Sequence, residues 1–306
     1  MHSRTLRRIG NVELSYASRD LARAEAYCSR YGGRAAFASY EAGLRDRRPH
    51  VAFVCTPTAS HFELALHALE VRKDVIVEKP AFMRAVDADA VRAAATRAGK
   101  RVFVAENYVY KPVAALLRRT IESGDLGDVR FVRLDATKAQ PANGWRGDPT
   151  LSGGGALFEA GIHWISFASN IGLTVARVFA RQVGSTAGPD RSSLVVFEYT
   201  NGALGTLAHS WELPAPFRGV RFSKVQGTRG SVTFESNGLV AFSNGRRRSL
   251  QIAAVRDALG YRTMLLDFLH ALQTGMAAQY TLEAAQRDLA LIEEAHRSMQ
   301  DQRTSG

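Results

Sequence analysis

Asp74-Val75-Ile76-Val77-Glu78-Lys79-Pro80-Ala81 sets three apolar β-branched residues ahead of a Glu-Lys-Pro triplet. Val75, Ile76 and Val77 form the short apolar run that fills the interior of a parallel sheet. Glu78, Lys79 and Pro80 then leave at the carboxyl end of that strand, where open α/β sheets bind their ligands. Lysine is scarce, six of 40 basic residues, so Lys79 does not read as a generic surface charge. An ammonium can hydrogen-bond a substrate hydroxyl and shift its own pKa, which a guanidinium does not readily do. Pro80 cannot donate to a ladder and restricts the backbone before it. Taken alone, the triplet fits a solvated lysine before a strand-ending proline equally well.

Outward from this strand, strand-like and helix-like segments alternate. Val12 to Ala17 precedes Arg19 to Arg30, and Arg34 to Ala38 precedes Tyr40 to Arg45. His50 to Cys55 precedes His61 to Val71, Asp74 to Val77 precedes Ala85 to Ala98, and Arg101 to Ala105 precedes Lys111 to Glu122. This alternation predicts an α/β, Rossmann-like, doubly wound parallel sheet with right-handed crossovers, forming a domain over 1–123. Over 124–306 the pattern changes to alternating strands divided by Asn201-Gly202, Asn237-Gly238 and Asn244-Gly245. That pattern predicts an α+β domain with a large open, mainly antiparallel sheet, one face packed on helices and the other available to a partner subunit. Tyr261 to Gln273 and Leu282 to Met299 read as closing amphipathic helices, the second capped by Thr281.

The chain has 306 residues with 46% hydrophobic and 23% charged side chains, which suits a globular protein of two domains. A net charge of +11 raises nucleic acid as a partner, but the arginines are spread along the chain. Their densest cluster, Arg246-Arg247-Arg248, follows a hairpin-type Asn-Gly, so no nucleic-acid partner is expected. No apolar run approaches the roughly eighteen residues of a membrane span. Met1 to Arg8 is basic with no apolar segment after it, which argues against a secretory signal. Cys28 and Cys55 read as buried, reduced thiols, and a cytoplasmic protein follows. The eight histidines and two cysteines show no metal-ligand spacing, and no G-x-S-x-G elbow points to a serine hydrolase.

Three further segments carry chemistry. In Ser152-Gly-Gly-Gly-Ala-Leu-Phe-Glu-Ala-Gly-Ile-His163 the glycines lead into a helix from about Ala156, placing Glu159 and His163 four apart on one face. A carboxylate there can orient the imidazole for proton transfer, and an ordinary surface pair has the same spacing. Thr56-Pro57-Thr58 ends a strand and His61 enters the next helix. Ser18 and Arg19, at the end of another strand, offer a hydroxyl and a guanidinium suited to a 2′-phosphate, which favours NADP over NAD despite the adjacent Asp20.

Glu78-Lys79-Pro80, preceded by Thr56-Pro57-Thr58 and His61 and followed by Gly161-Ile-His163, resembles the Gfo/Idh/MocA oxidoreductase family from about Asn11 to about Met299. The resemblance implies an NAD(P)-dependent oxidoreductase acting on a sugar, cyclitol or related polyol. Catalytic roles then fall to Lys79, His163 and Glu159, the last standing where the family usually has Asp. Ser18, Arg19, Thr56, Pro57, Thr58, His61, Glu78, Lys79 and Asn107 are the expected cofactor neighbours, and a homodimer or homotetramer through the C-terminal sheet is the expected assembly. The resemblance also places His2 to Ile9 in the helix that follows a glycine-rich phosphate turn, so the first strand and that turn are expected to lie upstream of Met1. A non-catalytic scaffold or binding protein of the same fold, or a redox-neutral lyase or glycosidase with tightly held NAD, is the alternative. The substituted Tyr108 and Val109 put in doubt any anionic contact the family makes beside Asn107.

Overall fold

The computed structural model describes every residue except 142, 186–187, 216–218, 247, 254–256 and 305–306, so Arg247 of the arginine cluster lies outside the described residues. The chain forms two compact units, Met1–Ala105 with Tyr261–Ala284, and Glu106–Gly260 with Ala285–Gly306.

The first unit begins with α1 (His2–Ile9). Parallel strands β1 (Ser15–Ala17) and β2 (Ala35–Phe37) pair around α2 (Leu21–Tyr31), and α3 (Tyr40–Arg45) follows. The Asp20 carboxylate caps α2 by accepting from Arg23 N at 3.4 Å, and left-handed Gly32 ends it, as helix termini require. Strands β3 (Val51–Val54), β4 (Asp74–Glu78) and β5 (Val102–Ala105) form a second parallel ladder in the order β3-β4-β5. Helices α4 (His61–Glu70) and α5 (Asp87–Ala98) connect them. Val75, Ile76 and Val77 are all buried, on both faces of β4, as a sheet covered by helices on two sides demands. Among the described ladders β1 pairs only with β2 and β3 only with β4, so the parallel sheet stands in two parts.

The second unit opens with α6 (Pro112–Glu122), whose Pro112 occupies the first helical turn. Strands β6 (Val129–Thr137), β7 (Val175–Gln182), β8 (Ser192–Tyr199), β9 (Leu204–Ser210), β10 (Phe222–Gly227), β11 (Ser231–Glu235), β12 (Val240–Asn244) and β13 (Arg248–Ile252) make one eight-stranded sheet. Its order is β13-β12-β11-β10-β6-β9-β8-β7, antiparallel throughout except for β6 beside β9. The short helix α7 (Pro149–Ser152) and then α8 (Ile162–Ser169) lie between β6 and β7. One sheet face supplies Val132, Leu134, Val178, Phe197, Leu207 and Phe234 to the core, where Phe167 of α8 meets Phe234 at 5.8 Å. The other face leaves Phe131, Phe179, Leu194, Phe242 and Leu250 exposed. β13 was not anticipated: among the described residues it is an edge strand held only by β12, and its alternating Leu250 and Ile252 are exposed.

Helix α9 (Tyr261–Thr274) belongs to the first unit, where Phe268 meets Phe103 of β5 at 5.0 Å, and not to 124–306 as expected. Helix α10 (Leu282–Thr304) closes the chain, with Ala284 N donating to Thr281 Oγ1 at 3.3 Å as expected of that cap. No helix among the described residues is long and apolar enough to cross a membrane. Cys28 is half-buried and Cys55 is exposed at the end of β3, so the expectation that both thiols are buried does not hold.

Candidate active site

In the first unit β4 delivers Glu78 and Lys79 at its carboxyl end, and the Lys79-Pro80 peptide is cis. Lys79 N donates to Glu78 Oε2 at 3.1 Å, while Glu78 Oε1 is bound by His2 Nε2. His61, 1% exposed, stands between two turns: Nδ1 is 2.9 Å from Pro80 O and Nε2 is 2.8 Å from Thr56 O. Burial pushes its pKa down, toward the neutral ring, which has a single N–H to donate. One imidazole thus lies between the Thr56-Pro57-Thr58 turn and the Lys79-Pro80 turn, its single N–H donating to one of the two carbonyls, and both ring nitrogens face backbone. Thr58 is buried, and Thr56 Oγ1 accepts from Ser60 Oγ at 2.7 Å. At the end of β1, Ser18 N donates to Phe37 O at 3.1 Å and Ser18 Oγ accepts from Asp20 N at 3.2 Å. Arg19 is exposed, and the Asp20 carboxylate is engaged in capping α2.

The second unit carries His163 at the start of α8. The α-helix expected from Ala156 begins instead with a π-helical turn over Leu157–Gly161, which displaces the four-residue spacing from a shared α face. Glu159, buried, accepts from Arg146 Nε at 3.1 Å, and the carboxylate against the imidazole is Glu106, whose Oε1 is 2.7 Å from His163 Nδ1. Glu106 is the first residue after β5 and is 1% exposed; the same Oε1 accepts from Tyr108 N at 3.0 Å. The Tyr108 ring stacks on the His163 ring with centroids 4.4 Å apart and planes 14° from parallel. Lys111 Nζ lies 3.4 Å from the Tyr108 centroid and, with the imidazole on one face, occupies the other. Burial pushes the Lys111 ammonium down to about 7, against the pull of Glu106 and Glu235. Burial also pushes Tyr108 up to about 12, with Glu106 adding to it, and pushes His209 of β9 down to about 4. Asn107, expected beside a cofactor, is buried with Nδ2 donating to Leu259 O at 2.7 Å.

The first unit therefore gathers Thr56, Pro57, Thr58, His61, Glu78 and Lys79 around one pair of turns, with Ser18 and Arg19 on its other ladder. The second unit gathers Glu159 and His163 with Glu106, Tyr108, Lys111 and Arg146, four residues to which the sequence reading gave no site role. Two of them carried a signal. Glu106 directly follows β5, as Lys79 directly follows β4. Lys111 shares the scarcity that singled out Lys79.

A parallel sheet with polar groups at its carboxyl ends, joined to an antiparallel unit bearing a buried carboxylate and an imidazole, defines the class of two-domain dinucleotide-binding folds. Residues 13–106 match the oxidoreductase-family model described as an NAD-binding Rossmann fold, and 114–233 match the GFO/IDH/MocA C-terminal domain. The chain belongs to the Gfo/Idh/MocA oxidoreductase family. It is 31% identical to an uncharacterised oxidoreductase of Bacillus subtilis over 55% of this chain, and it spans 47% of that relative's length. It is 26% identical to levoglucosan dehydrogenase of Pseudarthrobacter phenanthrenivorans over 81% of this chain and 70% of that one. Among solved structures it is similar to GenD2 from gentamicin A biosynthesis, determined in complex with NAD, at a TM-score of 0.85 and 24% identity over 98% of this chain and 90% of that one.

Proposed function

We infer that this chain is an NAD(P)-dependent oxidoreductase acting at a hydroxyl or carbonyl carbon of a sugar, cyclitol or related polyol. The observation that carries the inference is the His163 imidazole, with one nitrogen against a buried carboxylate and the other without a protein partner among the described residues. Such a group is arranged to exchange a proton. Kinship with levoglucosan dehydrogenase supports the sugar-type substrate.

The polar groups at the strand ends fit a dinucleotide: a hydroxyl and an exposed guanidinium follow β1, and hydroxyl-bearing Thr56 and Thr58 follow β3. A bound nicotinamide supplies the hydride acceptor or donor. Lys79 donates a hydrogen bond to the reacting oxygen, and His163 Nε2 takes or returns its proton. Glu159 and Arg146 orient neighbouring substrate hydroxyls. Thr56, Pro57, Thr58 and Glu78 border the cofactor, with His61 and Asn107 acting through the backbone they hold. Ser18 and Arg19 favour NADP, because Asp20, the acidic residue that would select NAD, is engaged as a helix cap. The half-exposed apolar sheet face, with Leu250 at 64% and Ile252 at 71% exposure, suits a second copy of this chain in a homodimer or homotetramer. The cytoplasm is the compartment that fits its free thiols.

A panel of sugars and cyclitols offered with NADP+ and NAD+ is expected to raise nicotinamide absorbance, faster with NADP+. Turnover of the substrate without net absorbance change would replace this function with a redox-neutral one. A single-chain mass by light scattering would remove the oligomer.

A further inference from the structure

We propose that Glu106 is the positioning residue for proton exchange, holding His163 as its Nδ1–H tautomer so that Nε2 carries the lone pair offered to the substrate. An ionised carboxylate only accepts, so the nitrogen facing it at 2.7 Å carries the hydrogen. The acceptor is fixed in place: Glu106 Oε1 also takes the Tyr108 N–H at 3.0 Å, and the side chain is buried at the exit of β5. Oε2 is buried with no hydrogen-bond partner among the described residues, so both donors meet this carboxylate at one oxygen. A carboxylate placed only to cap the turn over Asn107–Tyr110 would not need the imidazole.

The ring plane is fixed as well. Tyr108 covers one face of the imidazole at 4.4 Å, Trp164 meets the Tyr108 ring edge-on at 5.5 Å, and Lys111 closes the far face of Tyr108. The buried Lys111 ammonium also brings positive charge to a site that buries a carboxylate, which a lone buried anion would otherwise lack. In the oxidation direction the substrate O–H bond breaks and its proton passes to Nε2, the hydride of the same carbon would go to the nicotinamide that the proposed function requires, and Nδ1 keeps its own hydrogen on Glu106. The positive charge gained by the ring then forms against the carboxylate. This sequence rests on the oxidoreductase function above for its effect on turnover, but the tautomer does not depend on it.

The test uses the full chain with ¹⁵N-labelled histidine, the His163 signal being assigned by its loss in His163→Gln. The expected wild-type spectrum shows Nδ1 protonated and Nε2 unprotonated without any substrate present. Glu106→Met removes the acceptor and is expected to shift the ring toward Nε2–H and to lower kcat roughly a hundredfold or more with KM little changed. Glu106→Gln keeps an acceptor for the Tyr108 and His163 N–H groups but loses the charge, so it retains the tautomer with intermediate turnover. Nε2–H as the main wild-type tautomer overturns the proposal, and so does a folded Glu106→Met chain with wild-type kcat. A wild-type chain that shows the expected tautomer yet turns over nothing supports the positioning role and removes the proposed function instead.

Discussion

His61 and His163 each hold a buried or half-buried imidazole close to strand ends, but their partners differ. In the first unit His61 lies between backbone carbonyls at both ring nitrogens, and in the second His163 leans on one carboxylate and has no partner at Nε2 among the described residues. Buried polar groups are nearly always partnered, so a ring enclosed by backbone at both nitrogens belongs to the architecture and one that leans on a single carboxylate is free to react. A histidine beside a turn motif looks the same in either case when only the sequence is read.

The largest effect is expected at Lys79, on the turn that His61 braces. Lys79→Ala should lower turnover roughly a hundredfold or more with the fold intact, the usual scale for a group acting on the reacting oxygen. Wild-type turnover would show that this turn carries no chemistry. His61→Phe should act on stability instead, because it leaves carbonyls of Pro80 or Thr56 buried without a donor, at about 1–3 kcal/mol. Urea midpoints measure this, and an unchanged midpoint would mean that water replaces the ring and the contrast between the two histidines is void. Arg19→Asp should be smaller still. Exchanging a charge-assisted donor for a repelling carboxylate should weaken NADP(H) by roughly tenfold or more and NAD(H) far less. Equal losses, read by nicotinamide fluorescence titration, would show that Arg19 does not meet the 2′-phosphate.

Much of the architecture was legible because it follows from local periodicity. The buried run Val75 to Val77, the Asn-Gly turns and the alternating strands reported both sheets, apart from the short edge strand β13. The site was legible in its chain positions and not in its pairings. Glu159 and His163 were expected to pair through helical spacing, and the π-helical turn between them is not encoded in any period. Glu106 is 57 residues from His163 in the chain, so their contact is set by tertiary folding. Asn107, an expected cofactor neighbour, donates its amide to Leu259 O.

Lys111 gives the second unit a pH dependence of its own. Burial pushes its pKa from 10.5 down to about 7 in the folded chain, and the carboxylates of Glu106 and Glu235 resist that fall. A lowered folded pKa means the unfolded chain binds more protons between about 7 and 10.5, so this lysine's contribution to stability increases as pH rises through that window and is lost as pH falls toward 7. The slope cannot exceed one proton, about 1.4 kcal/mol per pH unit. Other groups titrate there too, so the measured quantity is the wild-type urea stability minus that of Lys111→Met at several pH values. A positive slope that the variant lacks places a neutral amine against Tyr108 at the top of the window. A flat difference means that the aromatic face and the two carboxylates hold the ammonium charged against burial, and His163 then works beside a permanent cation at every pH tested.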